Sequence, residues 1–441
     1  MDVPTVNVID ITDYPQIFYS ASIQSDIIDQ GLAGTPLPCG QYAFGQARGD
    51  LFYLARDPVG CNKLFFGHDR SSVLILANRI DQAWNQGVSL SAIASCPPGR
   101  VLELSAKGVR VVGGTDISET PAGTDFSIAT LQQRVRERLD NAFGWLAHEF
   151  EGRRIVVCLS GGLDSSIVAS FAAAHFPSVT AFNFTYLGAD DVKAHALGAP
   201  LEDLRTVSED FRAAAAVARA LGVPFLPVTR PKEAVAPAIP ASVRLGQDWR
   251  DFNVHCATVN LFLAQDIDAA FPGEKAVVLT GDLMNEYLCD YKEERVGNAV
   301  YYKIPRIPLA NRRKYFVRGL DAGDREIGVF GAHGLTACQP FAVLADLYMN
   351  IPADILDQPD IKWKLNGPLL TGSAAPHVNR SKTRAQVGGQ DQGTLAAYHQ
   401  LGADDQHLRR LWQQQFPGEA TSSCDGLIQF GRYRLPQYTA G

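Results

Sequence analysis

The segment LSGGLDSS, residues 159–166, concentrates groups that suit a phosphate ligand. Gly161 and Gly162 allow a tight turn that a ligand can approach without meeting a Cβ atom. The residues that follow are helical in pattern, so their N–H groups lie at the positive end of a helix, where anions bind favourably. Hydroxyl donors are added by Ser160, Ser165 and Ser166. Asp164 would repel bare phosphate, and its presence predicts a Mg²⁺ ion that bridges phosphate oxygens.

A serine-rich helix cap that binds nothing is the structural alternative. A lone Gly-Gly pair would favour that alternative, but S-G-G-x-D-S-S directly after a β-branched strand favours a pyrophosphate site. The segment fits neither the Walker pattern G-x-x-x-x-G-K-[ST] nor the dinucleotide-binding pattern G-x-G-x-x-G.

Strands and helices alternate after residue 126, which predicts an α/β fold with helices on both faces of a parallel sheet. The predicted strands are RRIVVCLS (153–160), VTAFNFTYL (179–187), VPFLPVT (223–229) and KAVVLTGD (275–282). The predicted helices cover 127–149, 165–176, 208–222 and 260–271. Ligands bind beyond the carboxyl ends of such strands, and the glycine turns at 160 and 281 both lie there.

The N-terminal part of the chain is patterned differently. Short β-rich runs alternate with turn residues, as in FYLARDP, KLFFGHD, SVLILAN and RVLELSA. The segment GGTDISETPAGTD, residues 113–125, has no periodic apolar spacing and is typical of a linker. We therefore expect a domain over 1–118 and a second over 126–441.

The bulk composition limits the partners. A net charge of −7 gives no electrostatic reason to expect nucleic acid. Eight cysteines lie far apart without a C-x-x-C pair, which argues against a zinc or dithiol site. No segment reaches the roughly 20 apolar residues needed to cross a bilayer. We expect a cytoplasmic protein without a membrane partner, and a homodimer is one option.

SGGLDSS is similar to the PP-loop signature of the ATP pyrophosphatases, which cleave ATP to AMP and pyrophosphate. Three further stretches resemble the asparagine synthetase class within that superfamily. They are LFYLARDPVGCNKLFF (51–66) with CPPGRVLEL (96–104), VVLTGDLMNEYLCDY (277–291), and GLTACQPFAVLADLYMNIPADI (334–355) with NRSKTRAQ (379–386). The resemblance implies an N-terminal β-rich, Ntn-like amidotransferase remnant followed by a PP-loop synthetase domain.

One departure from the class concerns glutamine. Glutamine-hydrolysing members expose a catalytic cysteine as their first residue, whereas Met1 is followed here by Asp2 and the nearest cysteine is Cys39. We expect a degenerate domain without glutaminase activity, as in β-lactam synthetase, carbapenam synthetase and lasso-peptide cyclases. The implied reaction adenylates a small carboxylic acid with ATP and Mg²⁺ and transfers it to an amine or free ammonia, in natural-product biosynthesis.

The resemblance also implies roles for residues. ATP or pyrophosphate would be held by Leu159, Ser160, Gly161, Gly162, Asp164, Ser165, Ser166, Phe184 and Gly281. Lys382 matches the lysine that stabilises the transition state, and Asp282 is the candidate base. The family's metal-binding aspartate falls on Asn285, so Asp282 or Glu286 would supply the second carboxylate. Metal is thus expected on Asp164 and Asp282.

Other residues are weaker candidates. Arg250, Asp251 and His255 could bind substrate, although a lone histidine is more often a packing residue. Lys364 and Arg380 are candidate phosphate contacts, and the arginine-rich stretch before Glu326 is typical of a solvated helix face.

Alternatives remain open at this point. They are intramolecular lactam closure, a tRNA-modifying PP-loop enzyme, and a non-catalytic nucleotide-binding homologue. The acidic balance and the amidotransferase remnant argue against the tRNA enzyme.

Overall fold

The computed structural model describes residues 7–12, 17, 27–105, 108–117, 126–319, 324–370, 372–381, 384–387 and 393–420. Lys382 and most of the predicted linker, residues 118–125, lie outside the described residues.

Two four-stranded sheets form the N-terminal part. Their strands are β1 (Val8–Asp10), β2 (Ala43–Arg48), β3 (Leu51–Arg56), β4 (Phe65–His68), β5 (Leu74–Ala77), β6 (Ala94–Ser95), β7 (Arg100–Ser105) and β8 (Gly108–Gly114). One sheet has the order β1-β5-β4-β6 and the other, antiparallel throughout, the order β2-β3-β7-β8. The four predicted strand runs are confirmed. The predicted linker start was wrong, because residues 113 and 114 pair with β7 as the end of β8.

A parallel sheet organises the rest of the chain, as predicted, and it has a fifth strand besides the four predicted ones. Its strands are β9 (Ile155–Cys158), β10 (Val179–Leu187), β11 (Phe225–Pro231), β12 (Val277–Leu279) and β15 (Thr336–Cys338). They lie in the order β11-β10-β9-β12-β15. A separate hairpin joins β13 (Glu294–Val296) to β14 (Ala299–Tyr301). Because β9 and β12 are neighbours, the turns that follow them meet at one edge of the sheet.

Helices connect the strands in both parts of the chain, and the first two helices belong to the N-terminal part. Those before β12 are α1 (Ile27–Leu32), α2 (Ile80–Asn85), α3 (Ile128–Glu149), α4 (Leu163–His175), α5 (Ala189–Ala196), α6 (Glu209–Leu221), α7 (Val235–Leu245) and α8 (Asp251–Ala270). Those after it are α9 (Met284–Leu288), α10 (Leu309–Gly319), α11 (Ile327–Gly331), α12 (Ala345–Met349), α13 (Ala353–Leu356), α14 (Ile361–Asn366), α15 (Thr394–Gln400) and α16 (Asp405–Gln413).

Local sequence signals explain the long helices. The Ser127 hydroxyl accepts from the Thr130 N–H at the start of α3. The predicted apolar stripe of that helix is buried: Leu131, Val135, Leu139, Ala142 and Leu146. Gly222 ends α6 in the left-handed conformation, with φ +68°. The predicted helix at 260–271 was too short, because it begins at Asp251 as α8. No helix in the described ranges is both long and apolar enough to cross a bilayer.

Candidate active site

The turn between β9 and α4 is closed by its own hydroxyl groups. Ser165 Oγ accepts from the Ser160 N–H at 3.0 Å and lies 2.9 Å from Ser160 Oγ. Ser166 Oγ donates to the Gly162 carbonyl at 2.8 Å. These contacts fix the turn beyond the end of β9, with the first N–H groups of α4 at the same edge of the sheet.

Gly161 is required at its position. Its φ is +76°, and a Cβ atom there would lie 2.3 Å from the carbonyl oxygen of Asp210 on α6. Its own carbonyl accepts from the Asn379 N–H at 2.9 Å, and Asn379 Nδ2 donates to Asp210 Oδ1 at 2.6 Å. The segment that leads to Lys382 is therefore anchored to this turn through Asn379.

The second glycine turn touches the first. A Cβ atom on Gly281 would lie 2.7 Å from the Ser165 nitrogen and 3.0 Å from the carbonyl carbon of Asp164. Only glycine lets the two loops approach this closely. The turn continues into α9, so it brings Asp282 and Glu286 to the same edge of the sheet as Asp164.

Asp164 forms an ion pair with a lysine that is not among the site residues predicted from the sequence. Lys362, on α14, places Nζ 2.7 Å from Asp164 Oδ2, 2.6 Å from Asn285 Oδ1 and 3.0 Å from Asp290 Oδ2. Burial alone would lower the pKa of Lys362, but the charges of Asp164 and Asp290 outweigh it and raise that pKa above its usual value. The lysine therefore stays protonated between the two loops.

A metal ion has a limited donor set here. Within the part of the chain that the structure describes, no group of three or more His, Cys, Asp or Glu side chains is arranged to hold a metal. Asp164 Oδ1 is buried and has no hydrogen-bond partner among the described residues. Since Mg²⁺ is often held by one or two carboxylates and the phosphates of a substrate, Asp164 fits such an ion together with a bound nucleotide.

Asp282 and Glu286 share one arginine. Arg325 Nη2 donates to Glu286 Oε1 at 2.8 Å and lies 3.3 Å from Asp282 Oδ1. The hydroxyl of Tyr291 also donates to Glu286 Oε1. Burial alone would lower the pKa of Arg325, but Tyr291, Asp282 and Glu286 raise it well above its usual range. The two carboxylates are thus held in place by a permanent cation.

The predicted adenine site involves β10, the strand next to β9 in the parallel sheet. Strand β9 ends at Cys158, whereas its neighbour β10 continues to Leu187, so Leu159 and Phe184 lie where β10 extends past β9. Asn183 Nδ2 donates to the Leu159 carbonyl at 2.6 Å. Its Oδ1 is buried without a partner in the described ranges, which leaves an acceptor beside Leu159.

Some weaker candidates have structural roles. Arg250 pairs with the fully buried Asp248 at 2.6 Å. Asp251 accepts from the Phe252 N–H at the start of α8. His255 is fully buried with Nδ1 2.8 Å from the Tyr302 hydroxyl, and burial lowers its pKa to about 3. The geometry favours packing over substrate binding for His255.

Two further expectations need correction. Lys364 is exposed, because residues two apart on a helix point in nearly opposite directions and Lys362 takes the inward one. The arginine-rich stretch is not wholly a solvated face. Arg313 is buried and donates to the Tyr348 and Ile351 carbonyls, and Arg325 lies in the site. Arg380 stacks on Trp363, with its Cζ 4.4 Å from the ring centre. Trp363 is the residue that follows Lys362.

A buried polar relay connects the N-terminal sheets to the second loop. Gln41 Nε2 donates to Asn62 Oδ1 at 3.0 Å, and its Oε1 accepts from the Gln339 N–H at 2.8 Å. Gln339 Nε2 donates to Glu326 Oε2 at 2.8 Å. The Thr280 hydroxyl donates to the same oxygen at 2.8 Å. Because Thr280 immediately precedes Gly281, the relay ends at the loop that carries Asp282.

Residues 134–323 match the family model described as asparagine synthase. A search of curated proteins finds no significant match.

Among solved structures, the chain is similar to the NMN synthetase of Francisella tularensis, with 15% identity and a TM-score of 0.27 over 70% of this chain and 93% of that one. An NH₃-dependent NAD synthetase from Campylobacter jejuni subsp. jejuni, in complex with nitrate, has 12% identity and a TM-score of 0.24 over 38% of this chain and 62% of that one. A glutamine-dependent NAD⁺ synthetase from Acinetobacter baumannii, in complex with ADP, has 12% identity and a TM-score of 0.29 over 92% and 62%. The chain thus spans less than two thirds of the last two, and at these TM-scores none of the three carries an argument about this protein.

Proposed function

We propose that the chain, which matches the asparagine synthase family model over residues 134–323, is an ATP-dependent ligase that forms an amide in two steps. First, a carboxylate oxygen of a small acid attacks the α-phosphorus of ATP, and pyrophosphate leaves. Second, an amine or ammonia attacks the acyl carbon of the adenylate, AMP leaves, and a base takes the proton of the nitrogen.

The contact between the two glycine turns carries this proposal. Gly281 lies against Ser165 and Asp164, so a nucleotide bound on the first turn would have its phosphates close to the segment that carries Asp282 and Glu286. A base for the amine and a cradle for pyrophosphate are thereby offered at one edge of the sheet, as the two steps require.

Charge on the pyrophosphate would be met by this chain's own cations. Lys362 Nζ, already between Asp164 and Asn285, would donate to phosphate oxygens as they arrive. Lys382 stays a proposal for the transition-state lysine, supported by the anchoring of Asn379 on Gly161. Mg²⁺ on Asp164, when bound, would neutralise phosphate charge.

Glutamine is not proposed as the nitrogen source. The N-terminal part, which we propose is an amidotransferase-like domain over 1–118 beside a synthetase domain over 126–441, has three cysteines: Cys39, Cys61 and Cys96. All three are buried, and burial raises their pKa, to about 12 for Cys96. A thiol of this kind is not an activated nucleophile, so the amine or ammonia would come from solution.

ATP–pyrophosphate exchange with a panel of small carboxylic acids tests the first step. We expect exchange that depends on one acid and falls about 100-fold or more in Asp164→Asn, which removes a charge from the phosphate site. Asp140→Asn is the matched control, because Asp140 lies on α3 with half its side chain exposed. Exchange that is undiminished in Asp164→Asn would contradict the proposed role of this turn.

The second step distinguishes intermolecular from intramolecular amide formation. If the product mass shows loss of one water from the acid without an added amine, the enzyme closes a lactam. If AMP release requires an added amine or ammonia, the ligase joins two molecules.

A non-catalytic nucleotide-binding homologue is the second candidate. It is favoured by one observation: Lys362 occupies the space between Asp164 and the neutral Asn285, where two carboxylates could have held metal. ATP binding without exchange for any acid, and without AMP release on addition of amines or ammonia, would support this candidate instead.

A further inference from the structure

Beyond the phosphate cradle, a second set of charged groups that are mostly shielded from solvent surrounds Tyr291. Tyr291 joins two charged groups, since its hydroxyl donates to Glu286 and its ring centre lies 5.6 Å from Arg384 Cζ. Phe252 contacts both arginines, since its ring centre lies 4.8 Å from Arg325 Cζ and 5.9 Å from Arg384 Cζ. Two guanidinium groups and one carboxylate therefore border the same two rings.

Arg384 is held rigidly but incompletely satisfied. Its Cζ lies 5.0 Å from the ring centre of Tyr302, so three rings surround the guanidinium, and Nη2 donates to the Lys292 carbonyl at 2.7 Å. The Glu294 carboxylate is 3.8 Å from Nε, which is too long for a hydrogen bond. Nη1 is buried and has no partner among the residues that the structure describes.

In Glu286 it is a hydrogen-bond acceptor, rather than a donor, that lacks a partner among the described residues. Its side chain is 3% exposed, and Oε1 receives both Arg325 and Tyr291. Oε2 is buried and is without a partner in the described part of the chain. A buried charged group that lacks a hydrogen bond loses more free energy than a neutral one. Arg384 Nη1 and Glu286 Oε2 are therefore candidate contacts for a ligand.

We propose that Arg384 and Glu286 form the subsite for the amine acceptor, and that this acceptor is an α-amino acid. The carboxylate of the amino acid binds Arg384 Nη1, and its ammonium group binds Glu286 Oε2. The rings of Phe252 and Tyr291, which contact Arg384, and of which Tyr291 also contacts Glu286, would line the subsite beside the rest of the ligand. This inference rests on the proposed function in one respect only, namely that the bound amine is the group acylated in the second step.

Position supports the assignment of the ammonium to Glu286. Glu286 lies four residues after Asp282, in α9, which directly follows the loop that touches the phosphate-binding turn. An amine held there is beside the edge of the sheet where an acyl-adenylate would form. Free ammonia would satisfy Glu286 but would leave Arg384 Nη1 without an acceptor, so the pair of deficits favours an amino acid over ammonia.

The test compares amino acids with their amides, by calorimetric titration and thermal shift of the whole chain. The probes are the twenty L-amino acids and the matching L-amino acid amides, each added without ATP. We expect at least one amino acid to bind, and its amide to bind at least about 30-fold more weakly, because the buried guanidinium loses its charged partner. Absence of binding by any amino acid, or equal binding of acid and amide, would overturn the inference.

Variants locate the subsite. Arg384→Gln and Glu286→Gln should each weaken the amino acid about 30-fold or more, whereas Arg295→Ala, an exposed arginine on β13, should leave binding unchanged. Unchanged binding in Arg384→Gln would refute the proposed carboxylate contact. Should Arg384→Gln fail to fold, the comparison of acid with amide on the native chain still decides.

The two proposals can fail separately. Acid-dependent pyrophosphate exchange together with no amino acid binding would reject only the acceptor subsite. Amino acid binding that needs Arg384, together with no exchange, would keep the subsite and reject the ligase.

Discussion

The buried pair of Lys362 and Asp164 gives a prediction whose size follows from the structure. Nζ and Oδ2 are 2.7 Å apart, and the side chains are 14% and 5% exposed. Removing one partner of a buried ion pair typically costs about 3–5 kcal/mol, because the other charge stays buried and uncompensated. The cost should be large for Asp164, because its Oδ1 already has no hydrogen-bond partner among the described residues.

Lys362→Met is therefore expected to lower the free energy of unfolding by about 3–5 kcal/mol in the absence of nucleotide. Asp164→Asn should cost less, because Lys362 keeps Asp290 at 3.0 Å as a charged partner. The double variant removes both buried charges, so it should be more stable than Lys362→Met alone. We expect a coupling energy of about 2–3 kcal/mol between the two sites.

Urea unfolding at pH 7.5, followed by circular dichroism and tryptophan fluorescence, measures these differences. A chain of this length can unfold in more than one step, so the transition that both probes report is the one to compare. Lys364→Met is the matched control: its side chain is exposed two residues away on the same helix, and the expected change is within about 0.5 kcal/mol.

The reasoning fails if the double variant is no more stable than Lys362→Met. In that case the loss would come from the lysine's hydrogen bonds to Asn285 and Asp290 rather than from a stranded Asp164 carboxylate.

Two further predictions concern the supports of the site. Burial lowers the pKa of His255 to about 3, while the unfolded chain has the ordinary value of about 6.5. Protons therefore bind the unfolded state preferentially below pH 6.5, and between pH 8 and 4.5 this group removes about 2–3 kcal/mol of stability. Urea curves at both pH values should show a smaller acid loss for His255→Gln than for the native protein; equal losses would contradict the assigned burial of a neutral imidazole. Gly161→Ala should lower the free energy of unfolding by more than Gly152→Ala does, since both positions have φ +76° but only at Gly161 would the new Cβ meet a carbonyl, that of Asp210, at 2.3 Å. Both share the left-handed penalty of about 1–2 kcal/mol, so equal thermal unfolding midpoints would show that the turn relaxes.

The sequence predicts the local parts of this fold well. Alternating strand and helix patterns, the buried stripe of α3 and the glycine turn at 161 depend on residues close together along the chain. The second glycine turn also lies where the pattern places it, because parallel strands bring their carboxyl ends to one edge.

What sequence reasoning missed depends on distant contacts. Lys362 contacts Asp164, which is almost 200 residues away in the sequence. The local sequence contains two lysines, Lys362 and Lys364, and no local pattern distinguishes their roles. Helical spacing could have shown that only one of Lys362 and Lys364 faces inward, but the direction of that face is set by packing. Arg325 was hidden for a similar reason, since it follows an arginine-rich helix that is patterned as a surface.

The polar relay connects the N-terminal part of the chain, whose cysteines Cys39, Cys61 and Cys96 are buried, to the site of the proposed reaction. Gln41 is fully buried, and its amide satisfies Asn62, the Ala337 carbonyl and the Gln339 N–H at once. Without it, several buried groups would lose their partners, at a cost of about 1–3 kcal/mol each. Gln339 would then be less firmly placed on Glu326, which also accepts from the residue that begins the second loop. The N-terminal sheets therefore act on the loop through fixed hydrogen bonds, independently of any chemistry at cysteine.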